Sequence, residues 1–314
     1  MKPLTFAGLL ACLALTGCGS HTDAPTAPQD QNLQRYQRAA QSAYGLGRPQ
    51  EAITQYRLAL TQAEARDDLP AIGNLSFNLA AAQLQANRPA DALETARRAR
   101  AELSRRGAPP LSALDLVEAT ALYRSGDAAT ADAMAAKLQR DADRQIASAA
   151  TFLRGLIADD RHDLNGLTAA SDSLRQTPAA TDPAGGATPT TATDIASRAA
   201  QQADALELEA RLARLKGDDA SAQAAALQAA DLRRMAIDYR GLARALSVAA
   251  DAARHAQSPA AADLYLRAGR SAAAQGDKAA AETWLTEALR LSHDAAITEA
   301  AQKALTELAQ PATN

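Results

Sequence analysis

Aromatic side chains make up only 3% of this 314-residue chain, with a single tryptophan, and cysteine occurs just twice. So few rings leave little material for one large globular core, although 47% of the residues are hydrophobic. Much of that apolar content is alanine, which favours helix intrinsically and lets helices approach closely, so composition points to a helical array. Histidine is scarce as well, and His21, His162, His255 and His293 are scattered. The chain has no Gly-x-Ser-x-Gly elbow, no Ser-x-x-Lys pair and no His-Glu-x-x-His helix, so no common nucleophile or zinc motif is present. Gly269 to Lys278 holds two glycines and a lysine but not the Gly-Lys-Ser/Thr ending of a phosphate loop. Nothing in these patterns implies a cofactor, a catalytic residue or a metal, and the reading is of a non-enzyme.

Basic charge is not in excess either: 33 Lys and Arg stand against 36 Asp and Glu, a net charge of -3, which offers no pull toward nucleic acid. No apolar run is long enough to span a bilayer. The longest near the start, Leu4 to Leu15 behind Lys2, has the length of a secretory leader. It ends in Leu15-Thr16-Gly17-Cys18, which resembles the lipobox of bacterial lipoproteins. That resemblance implies cleavage after residue 17 and acylation of Cys18, with several acyl chains at ~0.8 kcal/mol per buried methylene holding the chain at a membrane. It also implies the periplasmic face of the outer membrane of a Gram-negative bacterium, since Gly19 stands where Asp would resemble an inner-membrane retention signal. Cys12 would leave with the leader, so the mature chain could form no internal disulfide. Residues 18–31 are polar, carry Pro25 and Pro28, and read as a tether.

The clearest pattern lies between Pro259 and Ser292. Two amphipathic helices flank a Gly276-Asp277 turn, with Tyr265, Ala268 and Gly269 on the first and Ala281, Leu285 and Ala288 on the second. This stretch resembles one tetratricopeptide repeat. Related hairpins follow from Leu33 to Arg66 (Tyr36, Ala39, Ala40, turn Gly47, then Ala52, Tyr56, Ala59), from Pro70 (Leu79, Ala80, then Ala92, Ala96, Ala99) and from Leu111 (turn Gly126-Asp127, then Ala131, Ala135, Leu138). Equivalent alanines Ala52, Ala92 and Ala131 lie 40 and 39 residues apart, so the helices should exceed the family's usual length, whose period is about 34. A degenerate fourth pair spans Arg144 to Leu174, with Leu167 where a small residue belongs. A fifth carries Ala210, Ala222, Ala226 and Ala229. Pairing within 231–257 is ambiguous, with its one visible break near Asp238-Tyr239, and a last helix from Ala295 to Leu308 should cap the array.

The resemblance implies an all-α, right-handed α-solenoid of antiparallel helix pairs. Its expected organisation is leader 1–17, acylated Cys and tether 18–31, a first block 32–174, a Pro/Thr/Gly-rich segment 175–194, a second block 195–309 and a tail 310–314. The 175–194 segment either divides two blocks or is an enlarged loop in one continuous solenoid. Prolines support the segmentation, since Pro49, Pro70, Pro89, Pro109, Pro110 and Pro259 fall at expected helix starts, where proline is tolerated.

By the same resemblance, first helices line a concave groove whose candidate partner-binding residues are Arg38, Gln41 and Tyr44, then Asn74, Phe77 and Asn78, then Leu116, Thr120, Tyr123 and Arg124. Rings with amide and guanidinium neighbours suit a peptide or helix ligand; alternatively, the three rings pack within their own repeats. Asn78 matches one position of the carboxylate clamp of chaperone-binding members, but Gln37, Ala113 and Val117 replace its cations. The leading expectation is an acyl-anchored scaffold that holds an envelope protein or peptide in its groove, as lipoproteins of similar layout do in outer-membrane protein, pilus, secretin or peptidoglycan machinery. A glycan- or metal-dependent peptidoglycan module using Asp159, Asp160, His162 and Asp163 is the alternative, and a plain structural spacer a third. The same acidic stretch also reads as a solvated turn that caps the next helix. The basic run of Arg97, Arg98, Arg100, Arg105 and Arg106 reads as an exposed helix face balanced by Glu94 and Glu102.

Overall fold

A computed structural model describes residues 30–176 and 192–310. The leader, Cys18, nearly all of the tether, the middle of the 175–194 segment and the end of the tail lie outside the described residues. Among the described residues there are fourteen α-helices and no strand. They are α1 Gln31–Gly45, α2 Pro49–Ala65, α3 Leu69–Gln85, α4 Pro89–Arg105, α5 Ser112–Arg124, α6 Ala128–Leu138 and α7 Arg144–Asp160. Then come α8 Leu164–Gln176, α9 Ala192–Leu215, α10 Asp219–Met235, α11 Tyr239–His255, α12 Ala260–Ala274, α13 Lys278–Leu291 and α14 Ala295–Ala309.

Helix boundaries follow local chemistry. Aspartates at positions 30, 68, 127, 143, 218, 238, 277 and 294 each accept a backbone N–H of the helix they precede, a cap that contributes ~1 kcal/mol. A Gly-Asp pair therefore ends one helix in the left-handed region and starts the next, as Gly276 (φ 71) and Asp277 do. Ile237 takes the same left-handed conformation, φ 57, without glycine's freedom. For a β-branched residue that strain is on the order of 1–2 kcal/mol. Pro49, Pro70 and Pro89 sit in first turns and Pro259 at an N-cap, whereas Pro109 and Pro110 precede the N-cap of α5.

Each helix packs on the next, and α3, α5, α7, α9 and α11 also touch in succession, which makes them one inner row. At the far end α12 packs on α14 instead, so the row shifts by one helix between α11 and α12. The ambiguous 231–257 stretch resolves into the end of α10 and all of α11, broken at 236–238. The long repeat arises because α2, α3 and α4 are 17 residues each. In the third pair the helices shorten to 13 and 11 residues, and a longer connection before α5 keeps the spacing. Helix resumes at Ala192, three residues earlier than the pattern places it, and α9 packs directly on α7 and α8.

The core is a chain of clusters. One joins α1, α2 and α3, the next α3, α4 and α5, and so on, until α9 to α14 share a single alanine-rich cluster. The repeat positions expected to interlock are buried: Ala52, Tyr56, Ala59, Ala92, Ala96, Ala131 and Ala135, then Tyr265, Ala268, Ala281, Leu285 and Ala288. Ala39 is the exception and is exposed, Ala40 taking the packed position. Leu167 is wholly buried, because its neighbourhood also receives Leu208 against the bare backbone of Gly155.

Two substitutions should move stability in opposite directions. A Cβ on Gly269 would lie 2.7 Å from Leu285 Cγ and 3.1 Å from its backbone nitrogen, so Gly269→Ala should lose on the order of 1 kcal/mol despite alanine's helix preference. Ile237→Asn should gain ~1 kcal/mol by relieving a strained left-handed residue. Urea midpoints of the two variants would test both signs.

Candidate functional site

Curvature brings distant parts of the chain together. Arg240, in the first turn of α11, donates to the carbonyl of Gln85 (3.2 Å) and the side chain of Asn87 (3.5 Å), 155 and 153 residues away. Its remaining partner is Asp277 Oδ2 at 2.6 Å, in the α12–α13 turn. Arg124, at the end of α5, donates to the same α3–α4 turn, at Leu84 O (2.6 Å) and Asn87 Oδ1 (2.5 Å). Next to this clasp the Tyr239 ring stands 3.0 Å from where a Cβ on Gly47 would lie. The inner face is therefore drawn closed between its early and late helices.

Against this clasp lies a half-open hollow of about 860 Å³. Leu116, Thr120, Tyr123 and Arg124 enter it from α5, Phe152, Leu153, Leu156 and Asp160 from α7, Arg240 and Arg244 from α11, and Trp284 from α13. Apolar and cationic groups thus face one space, a combination suited to binding. Tyr123 donates to Asp160 Oδ2 at 2.7 Å, and burial, then this bond, pushes its hydroxyl pKa well up. Burial lowers Arg124 to about 10, with Arg240 and Arg244 adding repulsion and Asp277 opposing it.

Behind the hollow is a buried ionic cluster. Glu207, fully buried on α9, accepts from Arg211 and Arg233 at 3.1 Å and twice from Arg244. Arg233 also reaches Asp204 and Asp238, while Asp159 on α7 takes Arg211 at 2.6 Å and Arg214 at 2.9 Å. The Phe152 ring carries Arg233 and Arg244 at 5.3 and 5.2 Å from its centroid, a cation–π arrangement. Burial alone would raise the Glu207 pKa, but Arg244, Arg211 and Arg233 outweigh it and hold the carboxyl far below its ordinary value. The cluster fixes Arg244 and Phe152 as a rigid wall of the hollow.

Of the residues expected in a groove, Thr120, Tyr123 and Arg124 meet there with Leu116. Tyr44 lies instead in an adjoining 340 Å³ hollow at the seam, beside Ala81, Gln85 and Asp238, which shares Arg124 and Arg240 with the first. The protein around it, with Asp238 adding, pushes its hydroxyl pKa up to about 12, although 37% of the residue stays exposed. Phe77 packs on the α3–α4–α5 cluster, so the three rings do not form one stripe. Arg38, Gln41 and Asn74 are exposed and Asn78 is half-buried. Phe152, Arg240, Arg244 and Trp284 were not among the candidates. Arg240 and Arg244, four apart on one helix face, were the legible signal.

The acidic stretch does not converge. Asp159 is 4% exposed and tied to two arginines, Asp160 holds Tyr123, and Asp163 accepts the backbone N–H of Gly166 in the first turn of α8. Among the described residues no group of three or more His, Cys, Asp or Glu is placed to hold a metal. The basic run along α4 and its C-cap is bound mostly to neighbouring segments: Arg97 and Arg100 to buried Glu118 on α5, Arg98 to Glu64 on α2 and Arg106 to Asp67 in the α2–α3 turn. Only Arg105 and Arg106 engage Glu102, and no ion pair to Glu94 forms among the described residues.

No family model and no curated protein matches the chain. Similar solved structures include a tetratricopeptide repeat protein from Parabacteroides merdae, 16% identical, covering 90% of this chain and 100% of that one with a TM-score of 0.42. Another is the TPR2AB domain of yeast Sti1 in a complex with pHSP90, 17% identical, covering 88% and 98% with a TM-score of 0.33. The tetratricopeptide-like layout of this chain is carried by its own packing, with hairpins stacked through an inner row and small-residue notches filled by Leu and Tyr.

Glu207→Gln should strand Arg244, leave Arg211 and Arg233 with only their other carboxylates, and cost about 3 kcal/mol or more at pH 7. In the wild type the Glu207 contribution is complete above its unfolded pKa, ordinarily 4.5, and is lost as pH falls toward the lower folded value. Urea midpoints between pH 7 and 3 should show a steeper acid loss for the wild type than for the variant.

Proposed function

We propose that this chain is a non-enzymatic binding scaffold, held by acyl chains on Cys18 at the periplasmic face of the outer membrane, whose inner row receives a segment of an envelope protein. The observation that carries the reading is the exposed polar surface beside the seam hollow. Gln41 and Asn74 stay exposed on α1 and α3, and neither side chain is committed to a bond within the described residues. Each lies about one turn or two before residues that enter the seam hollow, Tyr44 and Ala81. Amides in that position can bond a partner's backbone without first breaking an internal contact.

The leader and Lipobox-like Leu15-Thr16-Gly17-Cys18 support the membrane address. Among the described residues no helix is long and apolar enough to cross a membrane, so attachment in this reading falls to Cys18. Envelope assembly machinery is the process proposed, in which a lipid-held scaffold raises the local concentration of its partner at the membrane.

Photo-crosslinking groups placed at Gln41 or Asn74 should capture one partner in cells, while the same groups at exposed Thr54 or Leu58 on α2 should not. Equal capture from both faces would sink the groove reading. Cys18→Ala should move the protein from the membrane to the soluble fraction with unchanged helical circular dichroism, and retention in the membrane would remove the anchor.

A further inference from the structure

The central hollow has a chemistry that the scaffold reading does not use. Its walls are apolar on one side, with Phe152, Leu156 and Trp284 from α7 and α13. At the other end Arg124 and Arg240 meet over the α3–α4 turn. Among the described residues Arg124 is bonded only to neutral acceptors, the Leu84 carbonyl and the Asn87 amide oxygen. The Nε of Arg240 is buried and has no hydrogen-bond partner. The charges that act on Arg124 are two further arginines and one carboxylate, Asp277, and Asp277 is already engaged by Arg240. That corner is thus short of negative charge, and a buried cation without a counter-ion is costly.

The size of the space limits what fits. About 860 Å³ lies within the range of small-molecule sites. Next to it, the clasp from Arg240 to Gln85 and Asn87 bounds one end of the hollow. We infer that the hollow binds a small amphiphilic anion, a carboxylate or phosphate joined to an apolar body, with its head between Arg124 and Arg240 and its body against Phe152 and Trp284. The head supplies the missing counter-charge, and planar guanidinium groups suit either oxyanion. Because Arg124 belongs to α5 and Arg240 to α11, a bound head also cross-links the two sides of the clasp. The ligand then stabilises the closed form by mass action. This inference is independent of the scaffold reading and would survive its failure.

Trp284 is the only tryptophan in the chain, so its fluorescence reports this hollow alone. The full chain is titrated with decanoate and with decyl phosphate below micelle-forming concentrations, and in parallel with decanol, acetate and inorganic phosphate. A saturable change with one or both amphiphilic anions is expected, at least about tenfold tighter than with decanol or with either small ion, since losing a charge-assisted hydrogen bond is commonly worth a factor of that order. Decanoate alone would assign a free carboxylic acid, and decyl phosphate alone a lipid-type headgroup. Arg124→Gln should weaken binding about tenfold while helical circular dichroism and the melting temperature without ligand stay near wild type. If that variant is unfolded, Arg240→Gln and the preference of wild type for decanoate over decanol decide the matter. No response to either anion, equal affinity for decanol, or a folded Arg124→Gln protein that binds unchanged would each overturn the inference.

Discussion

A single helix hairpin of this chain cannot bury its own apolar stripe, and that constraint organises everything else. With few aromatic side chains, the hairpins interlock instead by setting one Leu or Tyr over an alanine or glycine notch, as Leu285 does over Gly269. Each apolar cluster is consequently shared by neighbours, and the stack gains its stability from nearest-neighbour interfaces. Close approach through small residues also sets the small rotation per hairpin that curves the inner row. Without that curvature Arg240 could not reach Asn87.

Near α9 the means of attachment changes. Leu208 still fits over Gly155, but much of the junction is polar, built on Glu207 and the arginines of α9, α10 and α11 with Asp159 of α7. Such a cluster is a weak source of net stability, because desolvating its charges offsets most of their attraction. It is directional, however, and can hold helix angles that interchangeable alanine contacts leave free. Arg233 and Arg244 of that cluster stack on Phe152, so the geometry of the junction is passed directly to the wall of the hollow. Structure and binding chemistry are coupled at this point through one set of side chains.

How much of this was legible in sequence depended on the range of the interaction. Gly126-Asp127 and Gly276-Asp277 are local signals, since a left-handed residue followed by a capping carboxylate needs only its own neighbours. The 236–238 break was obscure because Ile237 occupies a conformation where glycine or asparagine is the usual marker. Tyr44, Phe77 and Tyr123 share a repeat register but not an environment. Register places a residue on a helix face, whereas the neighbouring helix, the seam and Asp160 decide what covers it.

The helix hairpins, their long period and the small residues at their interfaces are all local in origin, because 3.6-residue periodicity, capping and steric fit act over a few residues or one adjacent helix. Long-range packing alone brings the early and late helices of the inner face together, gathers Phe152, Arg240, Arg244 and Trp284 with Tyr123 and Arg124 around one hollow, and sends the Asp159–Asp163 acids to different partners. The physical reason is accumulation: a curvature too small to read from any one repeat, summed over many, brings together residues more than 150 positions apart.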